Sequence, residues 1–113
     1  MEGEEERPVV YSRQYVSDTE QIYNYGLETF VETQAQNYEN LIDKITSELA
    51  LSYWMFPECR HILTKGRIYR NIILESHLII YRIKLERIEV LRLIRSQSSI
   101  SRIRSVRKIQ IKQ

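Results

Sequence analysis

Three apolar runs dominate the second half of the chain: Ile68–Leu74, His77–Ile83 and Ile88–Ile94, each rich in Ile, Leu, Val or Tyr. Short polar breaks at Glu75-Ser76 and from Lys84 to Arg87 separate them. That pattern predicts three strands joined by two tight connections, an antiparallel meander. In the middle run His77, Ile79, Tyr81 and Ile83 share one face while Leu78 and Ile80 occupy the other. A strand apolar on both sides belongs inside a sheet with both faces covered. Ahead of it, the short apolar run Val9–Ser12 behind Pro8 predicts a flanking strand.

Between these runs the period changes from two to between three and four. Ser17-Asp18-Thr19-Glu20 supply helix-start residues, with an earlier start near Ser12 or Arg13 as the alternative, and Ile22, Tyr23, Gly26, Leu27, Phe30 and Val31 recur at helical spacing, which predicts a helix over Gln14–Val31. Gly26 inside it is best explained by close approach of a second helix, because a mid-helix Gly costs about 1 kcal/mol against Ala. Ala35, Tyr38, Leu41, Ile42, Ile45, Leu49 and Ser52 define that second helix, Thr33–Ser52, with Thr33 as its cap and Glu39, Asp43, Lys44 and Glu48 on the far side. The two form an αα-hairpin whose apolar faces need a large partner, and the meander is the one on offer. The connector Tyr53-Trp54-Met55-Phe56-Pro57 is too apolar for a solvated loop, so it is expected to fold back over the edge of the core, Trp54 and Phe56 packing there.

After Arg95 the character changes to SQSSISRIRSVRKIQIKQ. Ile100, Ile103 and Val106 at intervals of three, behind a serine cluster able to cap, predict a short basic helix followed by an extended tail. Its apolar stripe is too thin to hold a helix alone, so it docks on the domain or waits for a partner. The expected organisation is an acidic flexible leader over 1–8, one folded domain over 9–97 and a basic helix and tail over 98–113.

Charge sharpens this division. Residues 1–56 carry 11 acidic and 3 basic side chains, and residues 57–113 carry 4 acidic and 14 basic. From Val90 onwards there is no acid, against Arg92, Arg95, Arg102, Arg104, Arg107, Lys108 and Lys112. Such a half suits nucleic acid, an acidic protein segment or a negatively charged macromolecular machine, unless it is only a solvated basic tail. No run approaches the roughly 18 apolar residues of a membrane span, and MEGEEERP lacks the apolar core of a secretory signal. A cytoplasmic protein is expected, and the single Cys59 agrees with a reducing compartment.

Several chemistries are disfavoured. Three glycines, at positions 3, 26 and 66, assemble neither a P-loop nor a dinucleotide fingerprint, so no nucleotide cofactor is expected. Cys59, His61 and His77 make a poor zinc set, so no metal is expected. What remains is a basic and aromatic cluster on or beside the sheet: Lys65, Arg67, Tyr69, Arg70, Tyr81, Arg82, Arg92 and Arg95. A metal-free ribonuclease uses such groups, cations for phosphorane charge and Tyr or His for protons. Alternatively the arginines pair with Glu75, Glu86, Glu89 or the acidic helices and the tyrosines are core.

The order strand, helix, helix, three strands, with Tyr11-Ser12, DTEQIYNY at Asp18–Tyr25, Pro57-Glu58-Cys59-Arg60, KGRIYR at Lys65–Arg70, HLIIYR at His77–Arg82 and IEVLRLI at Ile88–Ile94, resembles toxins of the RelE/ParE superfamily. The resemblance spans about residues 9–97 and implies an α+β fold, β-α-α-β-β-β, with an antiparallel sheet and the helical hairpin on one face. It also implies the toxin of a type II toxin–antitoxin pair, often a plasmid-stabilisation module. Its partner would be a cognate antitoxin in a heterodimer or heterotetramer. The RelE branch cuts mRNA on the ribosome, and the ParE branch inhibits DNA gyrase. For a nuclease the corresponding residues are Lys65, Arg67, Arg70, Tyr81 and Arg95. For a gyrase inhibitor the target-binding residues are Arg92, Arg95, Arg102 and Arg104. Where nucleases of the superfamily carry a Tyr or His-Tyr pair after the last strand, this chain reads Arg95-Ser96-Gln97-Ser98, and it has Ile94-Arg95 where ParE toxins commonly have Leu-His. IEVLRLI and DTEQIYNY are closer to ParE, and the non-enzymatic branch is the expectation.

Overall fold

The computed structural model describes residues 5–29 and 31–112. The elements in order are β1 (Val9–Tyr11), α1 (Arg13–Thr29), α2 (Glu32–Ser47), α3 (Leu49–Ser52), β2 (Tyr69–Ile73), β3 (His77–Ile83), β4 (Ile88–Arg95) and α4 (Ile100–Ser105). A 3₁₀ turn, Val106–Lys108, follows. The sheet runs β1-β4-β3-β2, and the meander forms as the apolar runs predict, with Leu74 N–H bonded to His77 O and Lys84 N–H to Arg87 O at the two turns. The sheet is mixed rather than purely antiparallel, because β1 pairs parallel with β4, Val9 opposite Ile88. Parallel neighbours need a long crossover, which the helices and the meander between them provide.

β1 is too short to cover β4, and α1 takes over where it ends. The Ser12 hydroxyl accepts from Tyr15 N–H at 2.9 Å, capping α1, and donates to Leu91 O at 2.6 Å. One turn on, an Asp18 carboxylate oxygen accepts from Leu93 N–H at 2.9 Å. The β3–β4 register slips here, Ile80 facing Arg92 and Tyr81 facing Val90, so Leu91 is the extra residue of a bulge. An edge beyond its strand partner is thus satisfied by helix side chains rather than by a ladder.

The helical hairpin packs on one face of the sheet. Tyr15, Ile42, Leu49 and Tyr53 meet Ile72, Ile79, Tyr81, Ile83, Ile88, Val90 and Leu93. The opposite face is covered as well, by Cys59 and Ile62 from the connector and Ile103 and Val106 from the C-terminal segment, over Tyr69, Ile80, Leu91 and Ile94. β3 is accordingly buried on both sides, with Ile79, Ile80 and Tyr81 fully covered.

Several local expectations are corrected. α2 does not use Thr33 as its cap: Val31 holds that position in extended backbone without a side-chain bond, and Thr33 is exposed in the first turn. The predicted single helix Thr33–Ser52 breaks at Glu48, just after Thr46 and Ser47 turn their hydroxyls back on Ile42 O and Lys44 O, a pairing that loosens the local ladder. Phe30 and residues 1–4 lie outside the described residues. The rest of the leader, expected to be flexible, is held: Arg7 N–H donates to Ala50 O at 2.9 Å, its guanidinium sits 4.6 Å over Tyr53, and the Tyr53 hydroxyl donates to Glu5 O. In the connector, Tyr53 is buried and Phe56 meets Tyr81 edge-on, but Trp54 is half exposed beneath Arg70 and Met55 faces solvent.

Gly26 is buried where α1 and α2 cross, and a Cβ there would lie 3.2 Å from the Ala35 Cβ. Gly26→Val should therefore force the helices apart and cost about 1–3 kcal/mol, read as a fall in the denaturant midpoint at unchanged slope.

Candidate functional site

The cationic candidates separate into three groups once the strands are in register. The first is a buried ionic cluster on the α4 side of the sheet. Arg82 and Glu89 face each other across the β3–β4 hairpin. Glu89 is almost wholly enclosed, and Arg82 Nε donates to its Oε1 at 2.7 Å while Arg87 Nε donates to Oε2 at 2.9 Å. Burial would raise the Glu89 carboxyl, but the hydrogen bonds and positive charge of Arg82 and Arg87 outweigh it and hold the group below its ordinary range. Burial pulls Arg82 down, and the Tyr69 hydroxyl and Glu89 reverse that, leaving it charged.

These two guanidinium groups also hold the C-terminus. Arg82 Nη2 donates to Ile109 O and Arg87 Nη2 to Ile111 O, both at 2.8 Å. In extended chain, alternate carbonyls point the same way, so two cations reach residues two apart. The Tyr69 hydroxyl accepts from Arg82 Nη1 at 3.1 Å and lies 3.5 Å from Arg107 O. Upstream, the Ser99 hydroxyl caps α4 by accepting from Arg102 N–H at 3.1 Å. The C-terminal segment thus docks through Ile103, Val106 and its main chain, leaving Arg102, Arg104, Arg107 and Lys108 exposed.

The second group divides the predicted target-binding residues. Arg92 makes a bidentate pair with Asp18, Nε to Oδ2 at 2.7 Å and Nη2 to Oδ1 at 2.9 Å, anchoring α1 to the sheet edge. Arg95, at the far end of β4, is exposed opposite His77. Arg102 and Arg104 are both exposed on α4. Arg92 is therefore committed to the fold, and the other three face solvent.

The third group is the predicted nuclease set, which the fold spreads out. Lys65 and Arg67 are exposed in the loop before β2, where Arg67 has a left-handed backbone, φ 55°. Arg70 donates to Arg67 O and Phe56 O and lies 4.9 Å over the Trp54 ring. Tyr81 is fully buried, its hydroxyl donates to Tyr53 O at 2.8 Å, and burial pushes its pKa far above the usual tyrosine range despite the opposing charge of Arg70. Arg95 pairs with His77, four residues before Tyr81 on β3, about 13 Å along the strand.

Sequence reasoning missed two polar pairs. The Tyr38 hydroxyl lies 2.9 Å from His77 Nδ1, tying α2 to β3, and burial together with the Arg95 charge lowers the His77 pKa. Asp18, a helix-start residue type by its sequence neighbours, instead supports β4. Burial raises the Cys59 thiol pKa, and no cluster of three or more metal-ligating side chains occurs among the described residues. Between α1 and α2 runs an open groove of about 570 Å³, lined by Tyr11, Tyr15, Val16, Thr19, Asp43, Lys44 and Ser47.

No curated protein matches this chain significantly by sequence. Among solved structures, the fold is similar to a chain described as the chromosomal ParDE TA system from P. aeruginosa, with a TM-score of 0.65 and 20% identity over 79% of this chain and 95% of that one. At that identity the likeness speaks for the fold alone. The model of the ParE toxin family, of type II toxin–antitoxin systems of the parDE kind, matches residues 9–100. That match takes in the whole sheet and both long helices, and the chain belongs to the ParE toxin family of type II toxin–antitoxin systems.

Proposed function

We propose that this toxin acts by binding DNA gyrase, without chemistry of its own, and that a cognate antitoxin neutralises it in a heterodimer or heterotetramer. The observation that carries the reading is the contrast between Tyr81, sealed in the core with its hydroxyl on a backbone carbonyl, and the exposed cations of α4. A proton-transfer group must reach the reacting atoms, and Tyr81 has no path to them. Arg95, Arg102 and Arg104 are free to meet a target through charge and shape. An acidic, amphipathic antitoxin segment complements the basic half of the chain, residues 57–113. The target sets the place of action in the cytoplasm, and no helix among the described residues is long and apolar enough to cross a membrane.

The test is to induce the protein and follow codon-specific mRNA cleavage alongside gyrase supercoiling and cleavage-complex formation. The expected result is stalled gyrase–DNA complexes with intact mRNA, retained in Tyr81→Phe and weakened in Arg102→Ala/Arg104→Ala. Rapid mRNA cleavage at the ribosomal A site, abolished in Arg70→Ala but kept in the α4 double variant, would overturn the reading in favour of a ribosome-dependent nuclease. In such a nuclease, removing one group that stabilises the transition state would lower the rate on the order of a hundredfold.

A further inference from the structure

The outer layer of the second sheet face is chemically one-sided. α4 and the 3₁₀ turn bury Ile103 and Val106 and turn Arg102, Arg104, Arg107 and Lys108 to solvent. The ion pairs found among the described residues engage Arg82, Arg87 and Arg92, and none involves these four. No acidic residue occurs after Glu89 to neutralise them. We propose that this face binds the sugar–phosphate backbone of duplex DNA, independently of gyrase and of base sequence.

Three features select that ligand. The first is geometry: from Arg102 to Lys108 the helix and turn rise about 10 Å, the axial span of roughly three base pairs, which carries about six phosphates on the two strands, enough for four exposed cations. Three of the four are arginines, whose planar fork grips phosphate in two bonds. The second is rigidity: the segment is held by its buried isoleucine and valine and by the Arg82 and Arg87 bonds to the following main chain, so its cations are largely positioned before binding. The third is what the face lacks. α4 and the turn carry no aromatic side chain, and Tyr69 beneath them is buried, whereas single-stranded nucleic acid is held largely by stacking on aromatics. On α4 and the turn the one exposed large apolar residue is Ile100, whereas an amphipathic acidic peptide needs an apolar track. Charge without stacking or grooves is the signature of backbone contact.

The proposal goes beyond the gyrase reading and is tested without gyrase. Fluorescence anisotropy of a labelled 20-base-pair duplex is titrated with the full chain at several salt concentrations. Four phosphate contacts predict a slope of log affinity against log salt of about −3.6, hence roughly a hundredfold loss for a fourfold rise in salt. Arg102→Ala/Arg104→Ala should remove about half of that slope. Lys65→Ala/Arg67→Ala, on exposed cations before β2, should change neither slope nor affinity. Circular dichroism checks that each variant folds. Unchanged binding in the α4 variant, or equal loss in both double variants, would overturn the assignment of this face. Tighter binding to single-stranded DNA or double-stranded RNA, or to an acidic peptide of matched charge, would overturn the choice of ligand. DNA binding with no effect on supercoiling leaves this proposal standing and removes the gyrase reading; the reverse pair of results does the opposite.

Discussion

Glu89→Ala is expected to be among the most damaging single changes to this protein, costing about 3–5 kcal/mol. The carboxylate is 2% exposed and is the shared counter-charge of Arg82 and Arg87. Removing it strands two guanidinium groups in the positions that hold the tail. In a domain of this size the melting temperature should fall by roughly 15–20 °C. Tryptic cleavage after Arg107 and Lys108 should accelerate at temperatures where the rest of the fold persists, because the carbonyl contacts of Ile109 and Ile111 depend on the same arginines. Arg87→Ala should cost less, since its side chain is 19% exposed and water can replace part of its role. The acid limb of the stability profile gives an independent readout. The folded pKa of Glu89 lies below its ordinary value, so its contribution is complete above that ordinary value and is lost as pH falls through the depressed one. Glu89→Ala should flatten this limb; a variant that melts like the parent and keeps the parent's acid limb would show that the cluster does not stabilise the fold.

Ile42→Asp should abolish folding or come close to it. Ile42 is 3% exposed at the centre of the α2 face that meets the sheet, and the substitution both removes apolar burial and encloses an unpaired carboxylate. The expected loss of several kcal/mol is comparable with the whole stability of a small domain, about 5–15 kcal/mol. The neighbouring position supplies the control. Leu41 is 45% exposed, so Leu41→Asp should stay within about 0.5 kcal/mol of the parent. A circular-dichroism melt in which the two variants behave alike would mean that the hairpin does not present Ile42 to the core. Substitution at Leu41 also asks whether the hairpin's outer face is used, because binding of a partner that covers it would weaken without any change in the melt.

The arrangement of cations carries a wider consequence for reading basic chains. Arg82 and Arg92 look in sequence like members of one positive platform with Arg95, Arg102 and Arg104. In the fold they are internal struts, whereas Arg95 at the end of β4, Arg102 and Arg104 on α4, Arg107 and Lys108 in its turn, and Lys65 and Arg67 before β2 face solvent. The Arg82–Glu89 pair was within reach of sequence reasoning. The two residues sit symmetrically about the Lys84–Arg87 turn, and opposite charges at mirror positions of a hairpin face each other. The Arg92–Asp18 pair was not, because its members are 74 residues apart and no local spacing connects them.

What the sequence determined by itself was the set of elements and their inward faces: the three strands of the meander, the two long helices, the Gly26 contact and the serine cap of α4. These depend on periodicity, turn chemistry and short-range hydrogen bonds, all of which act within a few residues. It also carried, through the order of those elements, the likeness to the RelE/ParE superfamily. The tertiary structure decided the parallel pairing of β1 with β4, the bulge at Leu91, the docking of the C-terminal segment on the second sheet face and the sorting of arginines into struts and surface. Each of these is a choice of partner among groups far apart in the chain. Such a choice is made by which surfaces remain uncovered and which buried charges still need a counter-charge once the sheet has formed, and a pattern of side chains along a line holds neither quantity.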